Sequence, residues 1–295
     1  MKEVVLIVNP SSGQEKAKTY EKKAVAKLES LFDKVTVKYT EKSGDATRFA
    51  TEAAQNQCDS VIVMGGDGTV NEGISGLAEQ DYRPTFGFFP LGTVNDLARA
   101  LSLSLDPEEA IANFSLDRTT TLDIGKINDT YFMNVVAIGS IPAALNDVES
   151  EEKTKLGKMA YFVSGLKQLA NTKTYDFQVV LDGVDKKMTT STMIIGLTNS
   201  IGGFEQLLPD AKVNDGLLHL IYLKDQNVLD TVKSIPDLIK GVRDTTENLV
   251  YHPFKQAVIT LEGEEELVTN IDGDEGERLP LEVTVLPSHL TVYSG

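Results

Sequence analysis

Val61-Ile62-Val63-Met64-Gly65-Gly66-Asp67-Gly68-Thr69 is the stretch that decides the fold. An apolar, β-branched run leads straight into a glycine-rich turn, the pattern of a buried strand that ends in a loop. Glycine lets the backbone of such a loop approach a polyphosphate closely, and Asp67 offers a carboxylate to metal-bound water. The Gly-Lys-Ser/Thr ending of a Walker loop is missing, so this is not a loop of that type. The plain alternative is a tight glycine turn with no ligand.

On both sides of this stretch, from Val4 to Ile127, short β-rich runs alternate with amphipathic stretches. The runs are Val4 to Val8, Val35 to Tyr39, Ser60 to Met64, Thr85 to Phe89 and Thr119 to Ile127. Alternation of this kind predicts a parallel sheet covered by helices. Between the first two runs, Ala17, Tyr20, Ala24, Leu28 and Leu31 recur at helical spacing, which predicts a helix over Gln14 to Leu31.

After about Asn128 the texture changes. Tyr131 to Ile138, Phe177 to Leu181, Thr192 to Leu197, Leu217 to Leu223, Ala257 to Glu262 and Leu281 to Leu286 read as strands, with helices only at Gly157 to Leu169 and Val228 to Val242. The expected fold class is therefore an α/β N-terminal domain with a parallel sheet, residues 1–127, followed by a mainly β domain, residues 128–288. The closing run Leu290 to Tyr293, within residues 289–295, suits a final strand that can pair with either domain.

Composition narrows the function classes. The 295 residues carry 28 Lys and Arg against 44 Asp and Glu, a net charge of −16. That balance argues against nucleic acid as a partner, since duplex binding needs many cationic phosphate contacts. The lone cysteine, Cys58, excludes an intrachain disulfide. Val4 to Val8 is too short for a signal-peptide core or a membrane span, so the expected location is the cytoplasm.

Two more loops follow strands. Asn9, Pro10, Ser11, Ser12 and Gly13 stand between the first run and the first helix, where backbone N–H groups and the positive helix end can face phosphate. A serine-capped turn explains the same residues. Pro90-Leu91-Gly92-Thr93-Val94-Asn95-Asp96 follows the fourth run; Gly92 and Thr93 can lie against phosphate, and Asp96 also reads as a first-turn helix residue.

Together, Asn9-Pro10-x-x-Gly13, Gly65-Gly66-Asp67-Gly68-Thr69-x-Asn71-Glu72 and Pro90-Leu91-Gly92-Thr93-x-Asn95-Asp96-x-Ala98-Arg99 resemble the catalytic domain of the diacylglycerol kinase family, in its soluble bacterial form, and the likeness spans nearly the whole chain. The resemblance implies a phosphofructokinase/NAD kinase-like α/β domain followed by a β-sandwich, with the active site between them. It implies ATP contacts at Asn9, Pro10, Ser11, Ser12, Gly13, Thr40, Gly66, Asp67, Gly68, Thr69, Val70, Asn71, Glu72 and Thr93. It further implies that Asp67, Asp96 and Asp123 anchor a network of water and Mg2+. Taken alone, Asp123 reads as a strand-end aspartate.

In the second domain, Pro209 to Leu217 resembles the family segment that binds a structural Mg2+ through the Asp215 carboxylate and the backbone carbonyls of Lys212 and Leu217. A hairpin turn at Asn214-Asp215-Gly216 is the alternative. Asn270-Ile271-Asp272-Gly273-Asp274 resembles the family's Asp-Gly-Glu, whose glutamate is the proposed general base. Here Asp274 stands at that place, with Glu275 and Glu277 as substitutes and a solvated acidic hairpin as the alternative. None of His219, His252 and His289 has ligand spacing, so none is given a metal or proton-transfer role.

A lipid acceptor implies peripheral contact with the inner membrane face. Gly157 to Lys173, preceded by Lys153 and Lys155, is one candidate docking stretch, and Lys16, Lys18, Lys22 and Lys23 add positive charge near the first loop. The expected reaction is transfer of the ATP γ-phosphoryl group to diacylglycerol or a related lipid. NAD kinase-like transfer to a soluble acceptor and a non-catalytic nucleotide-binding regulator are the rivals. Oligomeric state is left open, a homodimer included.

Overall fold

A computed structural model describes residues 1–13, 17–139, 173–202, 207–224, 238 and 240–295. The chain divides into two compact units, Met1–Ile124 with Pro287–Gly295, and Gly125–Leu286.

In the first unit, β1 (Glu3–Val8), β2 (Lys34–Tyr39), β3 (Ser60–Gly65) and β4 (Thr85–Pro90) form a parallel sheet in the order β2-β1-β3-β4. Register is set by Val4 against Val35 and Ser60, and by Ser60 against Thr85. All six residues of β3 are buried, as expected of a central parallel strand covered on both faces. The end of β16 (Leu281–Tyr293) continues the sheet in parallel, with Val292 opposite Phe86 and the Tyr293 hydroxyl 2.8 Å from Ser60 Oγ.

Among the described residues five helices belong to this unit: α1 (Ala17–Glu29), α2 (Asp45–Gln55), α3 (Asp67–Leu77), α4 (Asp96–Ala100) and α5 (Pro107–Asn113). The helix expected over Gln14 to Leu31 ends at Glu29. Ala17, Ala24 and Leu28 are its buried stripe, and Tyr20 and Leu31 pack at the margin of the same core. In α2, Ala46, Phe49, Ala50, Ala53 and Ala54 make the buried face.

Strand order locates the site. The chain leaves β1 toward β2, crosses back to β3, and then proceeds to β4 on the other side. β1 and β3 therefore flank the topological switch point, where loops part and open α/β sheets bind ligands at the carboxyl ends of their strands.

The second unit is a sandwich. One layer is an antiparallel six-stranded sheet, β12 (Leu249–Phe254), β11 (Leu218–Leu223), β10 (Thr192–Gly196), β7 (Val135–Gly139), β14 (Val268–Ile271) and β15 (Asp274–Arg278). The other contains β9 (Val184–Thr190), β8 (Tyr175–Leu181), β13 (Gln256–Leu261) and the start of β16, with β6 (Thr130–Phe132) paired to the end of β5 (Thr119–Ile127). Alternate residues meet between the layers: Val136, Ile138, Met193, Ile195 and Leu220 face Phe177, Val179, Ala257, Ile259 and Val283. Ile194, Ile221, Leu223 and Leu249 occupy the opposite face and pack under Leu207, Leu208 and Val242. Burial on both faces explains why β10 is apolar without alternation.

Two expected strands differ. Tyr131 to Ile138 is broken into β6 and β7 because the Asp272 carboxylate draws in the amides of Met133 and Asn134 at the break. Leu281 to Leu286 and Leu290 to Tyr293 are one strand, β16, which passes through Pro287 and Ser288 with Ser288 at φ 47. The expected helices Gly157 to Leu169 and Val228 to Val242 lie outside the described residues, apart from Leu238 and 240–242.

Candidate active site

The site of the first unit is built where β1, β3 and β4 end. After β3, Gly66 in extended conformation caps α3, so Asp67, Gly68 and Thr69 form its first turn and leave backbone N–H groups facing outward. Gly65 has to be glycine, because a Cβ there would lie 2.6 Å from Thr69 Cβ.

Asn9 links the first loop to the second: its Nδ2 donates to Thr69 Oγ1 at 2.9 Å, and its Oδ1 accepts the Ser11 amide at 3.0 Å. Pro10, Ser11, Ser12 and Gly13 then turn, with the Ser12 amide on the Asn9 carbonyl and Gly13 at φ 63. The third loop is tied to the second by Asp67. Its Oδ2 accepts the Asn95 amide at 2.9 Å and its Oδ1 the Asp96 amide at 3.1 Å. Asn95 adopts the left-handed conformation and donates Nδ2 to the Gly92 carbonyl at 2.9 Å. Gly92 packs so closely that a Cβ would meet Asn95 Oδ1 at 2.5 Å and Asp67 Oδ2 at 3.0 Å.

Burial pushes the Asp67 carboxyl above its ordinary range; the Asn95 and Asp96 amides pull it back, and the neighbouring Asp96 charge raises it further. Asp96 is buried at the start of α4. Asp123, fully buried on β5, accepts the Ser288 amide at 2.5 Å.

Other expected contacts occupy different places. Thr93 is exposed in the third loop, and Val70 lies on the buried face of α3. Asn71 accepts the Ser75 hydroxyl, and Thr40 follows β2 with its amide on the Val8 carbonyl. Glu72 turns toward α2, where its carboxylate accepts the Ser43 hydroxyl at 3.1 Å and the Ala46 amide at 3.2 Å. Lys23 is paired with Glu108 at 2.5 Å, and Lys173 with Glu265. Lys16 and the docking stretch before Lys173 lie outside the described residues.

In the second unit Asp215 stands just before β11. Its carboxylate accepts the amides of Lys212 and Leu217, each at 3.0 Å, and lies 3.2 Å from His219 Nε2. Burial would raise this carboxyl, but the His219 ring and the two amides outweigh it and hold it below its ordinary range. His219, given no role from the sequence, is buried and bonded through Nδ1 to the Tyr251 hydroxyl at 2.8 Å. Asn214-Asp215-Gly216 is not a hairpin tip, since β10 and β11 are joined by the whole of 197–217.

Asp274 opens β15, exposed, with no hydrogen bond or ion pair to its carboxylate among the described residues. Asp272, two residues before it, accepts three successive amides: Met133 at 2.8 Å, Asn134 at 3.0 Å and Val135 at 2.8 Å.

Comparison with known proteins places this architecture. Residues 3–127 match the family model of the diacylglycerol kinase catalytic domain, and residues 134–294 that of the YegS C-terminal NAD kinase beta sandwich-like domain. A Streptococcus pneumoniae serotype 4 protein whose name proposes a lipid kinase is 38% identical over 294 residues, covering 100% of this chain and 98% of the relative. A Bacillus subtilis protein named diacylglycerol kinase is 34% identical over 293 residues, 99% of this chain and 96% of its own. The chain belongs to the diacylglycerol kinase family.

A solved structure from Bacillus anthracis str. Sterne, described as a proposed diacylglycerol kinase, superposes on this family member with a TM-score of 0.88 at 30% identity, covering 100% of this chain and 95% of that one. Among the described residues of this diacylglycerol kinase family chain, no group of three or more His, Cys, Asp or Glu side chains converges as a metal cage. A cation beside Asp67 and Asp96, or at Asp215, has to take most of its ligands from water, backbone oxygen and phosphate. Mg2+ chemistry fits that arrangement, and the half-buried Asp67 beside the buried Asp96 gains from a positive charge nearby. A separate cavity of about 320 Å³, lined by Phe88, Leu103, Phe114, Arg118 and Tyr293 among others, includes no residue of the three loops. No helix among the described residues is long and apolar enough to cross a membrane.

Proposed function

We propose that this kinase-family chain transfers the γ-phosphoryl group of ATP to the hydroxyl of diacylglycerol or a related lipid, releasing ADP and, from diacylglycerol, giving phosphatidate. One observation supports the reading: the loops after β1, β3 and β4 are tied together at the carboxyl ends of their strands by the Asn9–Thr69 and Asp67–Asn95 hydrogen bonds. The names of the relatives supply the acceptor class.

In this reading the outward amides of α3 and the turn after Asn9 hold the nucleotide phosphates, and glycine at 66 and 68 allows close approach. Asp67, Asp96 and Asp123 fix the waters of Mg2+, which neutralises phosphate charge when bound. Asp274 accepts the proton of the attacking hydroxyl. Asp215, with Lys212 and Leu217, serves a second, structural Mg2+. The protein meets its lipid peripherally, at the inner membrane face.

A lipid-panel assay with ATP and Mg2+, read by product mass, tests the acceptor. Diacylglycerol is expected to gain one phosphoryl group. The NAD kinase-like description of the second unit's model favours a soluble dinucleotide as the second reading, so NAD belongs in the panel. Phosphorylation of NAD and no lipid would overturn the lipid reading.

A further inference from the structure

Asp272 and Gly273 form the two-residue link between β14 and β15, at φ 51 and 102, the positive pair that a tight hairpin requires. The turn is already secured by its own bonds. The Gly273 amide donates to Asn270 Oδ1 at 3.1 Å, and the Asp272 amide donates to the Val135 carbonyl at 2.9 Å. Asn270 and Ile271 further pair with Ala137 and Val136 of β7.

On top of this, the Asp272 side chain seats three amides in a row at the entry to β7, two on Oδ1 and one on Oδ2. The link is thus held from both its backbone and its carboxylate, and Asp274 is the next residue after it. A carboxylate that accepts a proton late in a transfer must be held closely in place, because small displacements of a base cost rate steeply. Asp274 has no side-chain partner among the described residues to do this.

The same unit contains a built-in comparison. Asp182 and Gly183 link β8 to β9 at φ 47 and 82, and Asp182 Oδ1 accepts the amides of Lys255 and Gln256, each at 3.0 Å. That clamp is followed by Val184, an exposed apolar residue with no acid-base chemistry.

We infer that Asp272 is a positioning residue for phosphoryl transfer, whose three-amide seat fixes the place from which the Asp274 carboxylate acts; this rests on the kinase reading and on Asp274 as base. Asp272→Asn tests it. The amide keeps one acceptor oxygen for Asn134 and Val135 but turns an NH2 group toward the Met133 amide.

Kinase rates on diacylglycerol would be measured for the wild type, Asp272→Asn, Asp274→Asn, the double variant and Asp182→Asn, with thermal midpoints for each. The inference expects Asp272→Asn to lower kcat about 10-fold or more with the KM for ATP unchanged. It expects the double variant to be no slower than Asp274→Asn alone. Asp182→Asn should lower the midpoint comparably and leave kcat intact. If Asp272→Asn and Asp182→Asn both lose only thermal stability, Asp272 is a hairpin lock and the inference is overturned. Full activity in Asp274→Asn, or none in the wild type, sinks the underlying reading instead. Should Asp272→Asn fail to fold, Asp272→Ser is measured by the same criteria.

Discussion

The Asp67 carboxylate, at the first turn of α3, accepts the backbone amide of Asn95 at 2.9 Å in the loop after the neighbouring strand. An aspartate at a helix N-terminus usually serves its own helix. This one spans to the next loop, so the loops after β3 and β4 are held in register by one half-buried charged group.

Substitution Asp67→Asn separates the loop-bridging role of that carboxylate from the metal-water role proposed for it. The amide still accepts one of the two N–H bonds and removes a half-buried charge beside Asp96, so the thermal midpoint should change little. Kinase activity should fall roughly 10- to 100-fold, the range for losing a group that orients a metal's waters. Activity and midpoint are measured on the same preparation. Unchanged activity would remove Asp67 from the chemistry.

Glycines 68 and 92 should respond in opposite senses. No atom lies within 4 Å of a Cβ at Gly68, which is exposed in the first turn of α3, so Gly68→Ala should stabilise the fold by about 0.5–1 kcal/mol. If the proposed ATP contact at Gly68 holds, the same methyl should raise the KM for ATP. At Gly92 a Cβ collides with Asn95 and Asp67, so Gly92→Ala should cost about 1–3 kcal/mol as well as activity. Denaturant titration and ATP kinetics check both signs.

Asp45 should govern part of the acid unfolding. The Glu41 amide, the Arg48 side chain and the Lys42 amide hold its carboxyl down to about 2. A depressed folded pKa means stability present above the unfolded value and lost as pH falls, here from about 4 toward 2. Asp45→Asn should be less stable than the wild type at neutral pH, and the difference should close below that window. A gap that persists unchanged at pH 2 would contradict the assignment.

Much of this was legible in the sequence because it is local. Val61 to Met64 followed by Gly65-Gly66 spells a buried strand entering a glycine turn, and Ala17, Ala24 and Leu28 spell a helix face. What could not be read are relations between distant positions. Nothing near Asp272 in sequence announces that it takes the amides of Met133 to Val135, so Tyr131 to Ile138 looked like one strand. His219 carried no ligand spacing, yet the chain folds it against Asp215 and Tyr251. Glu72 sat within the loop motif, but the proximity of α2 turns its carboxylate to Ser43 and Ala46.

The central claim is phosphoryl transfer to a lipid hydroxyl at the Asp67 loops. Purified protein would be incubated with γ-labelled ATP, Mg2+ and diacylglycerol in anionic micelles, beside an Asp67→Ala control. The account predicts labelled phosphatidate from the wild type and at most a small fraction of it from the variant. No label above the control, with the wild type shown to be folded, would contradict it.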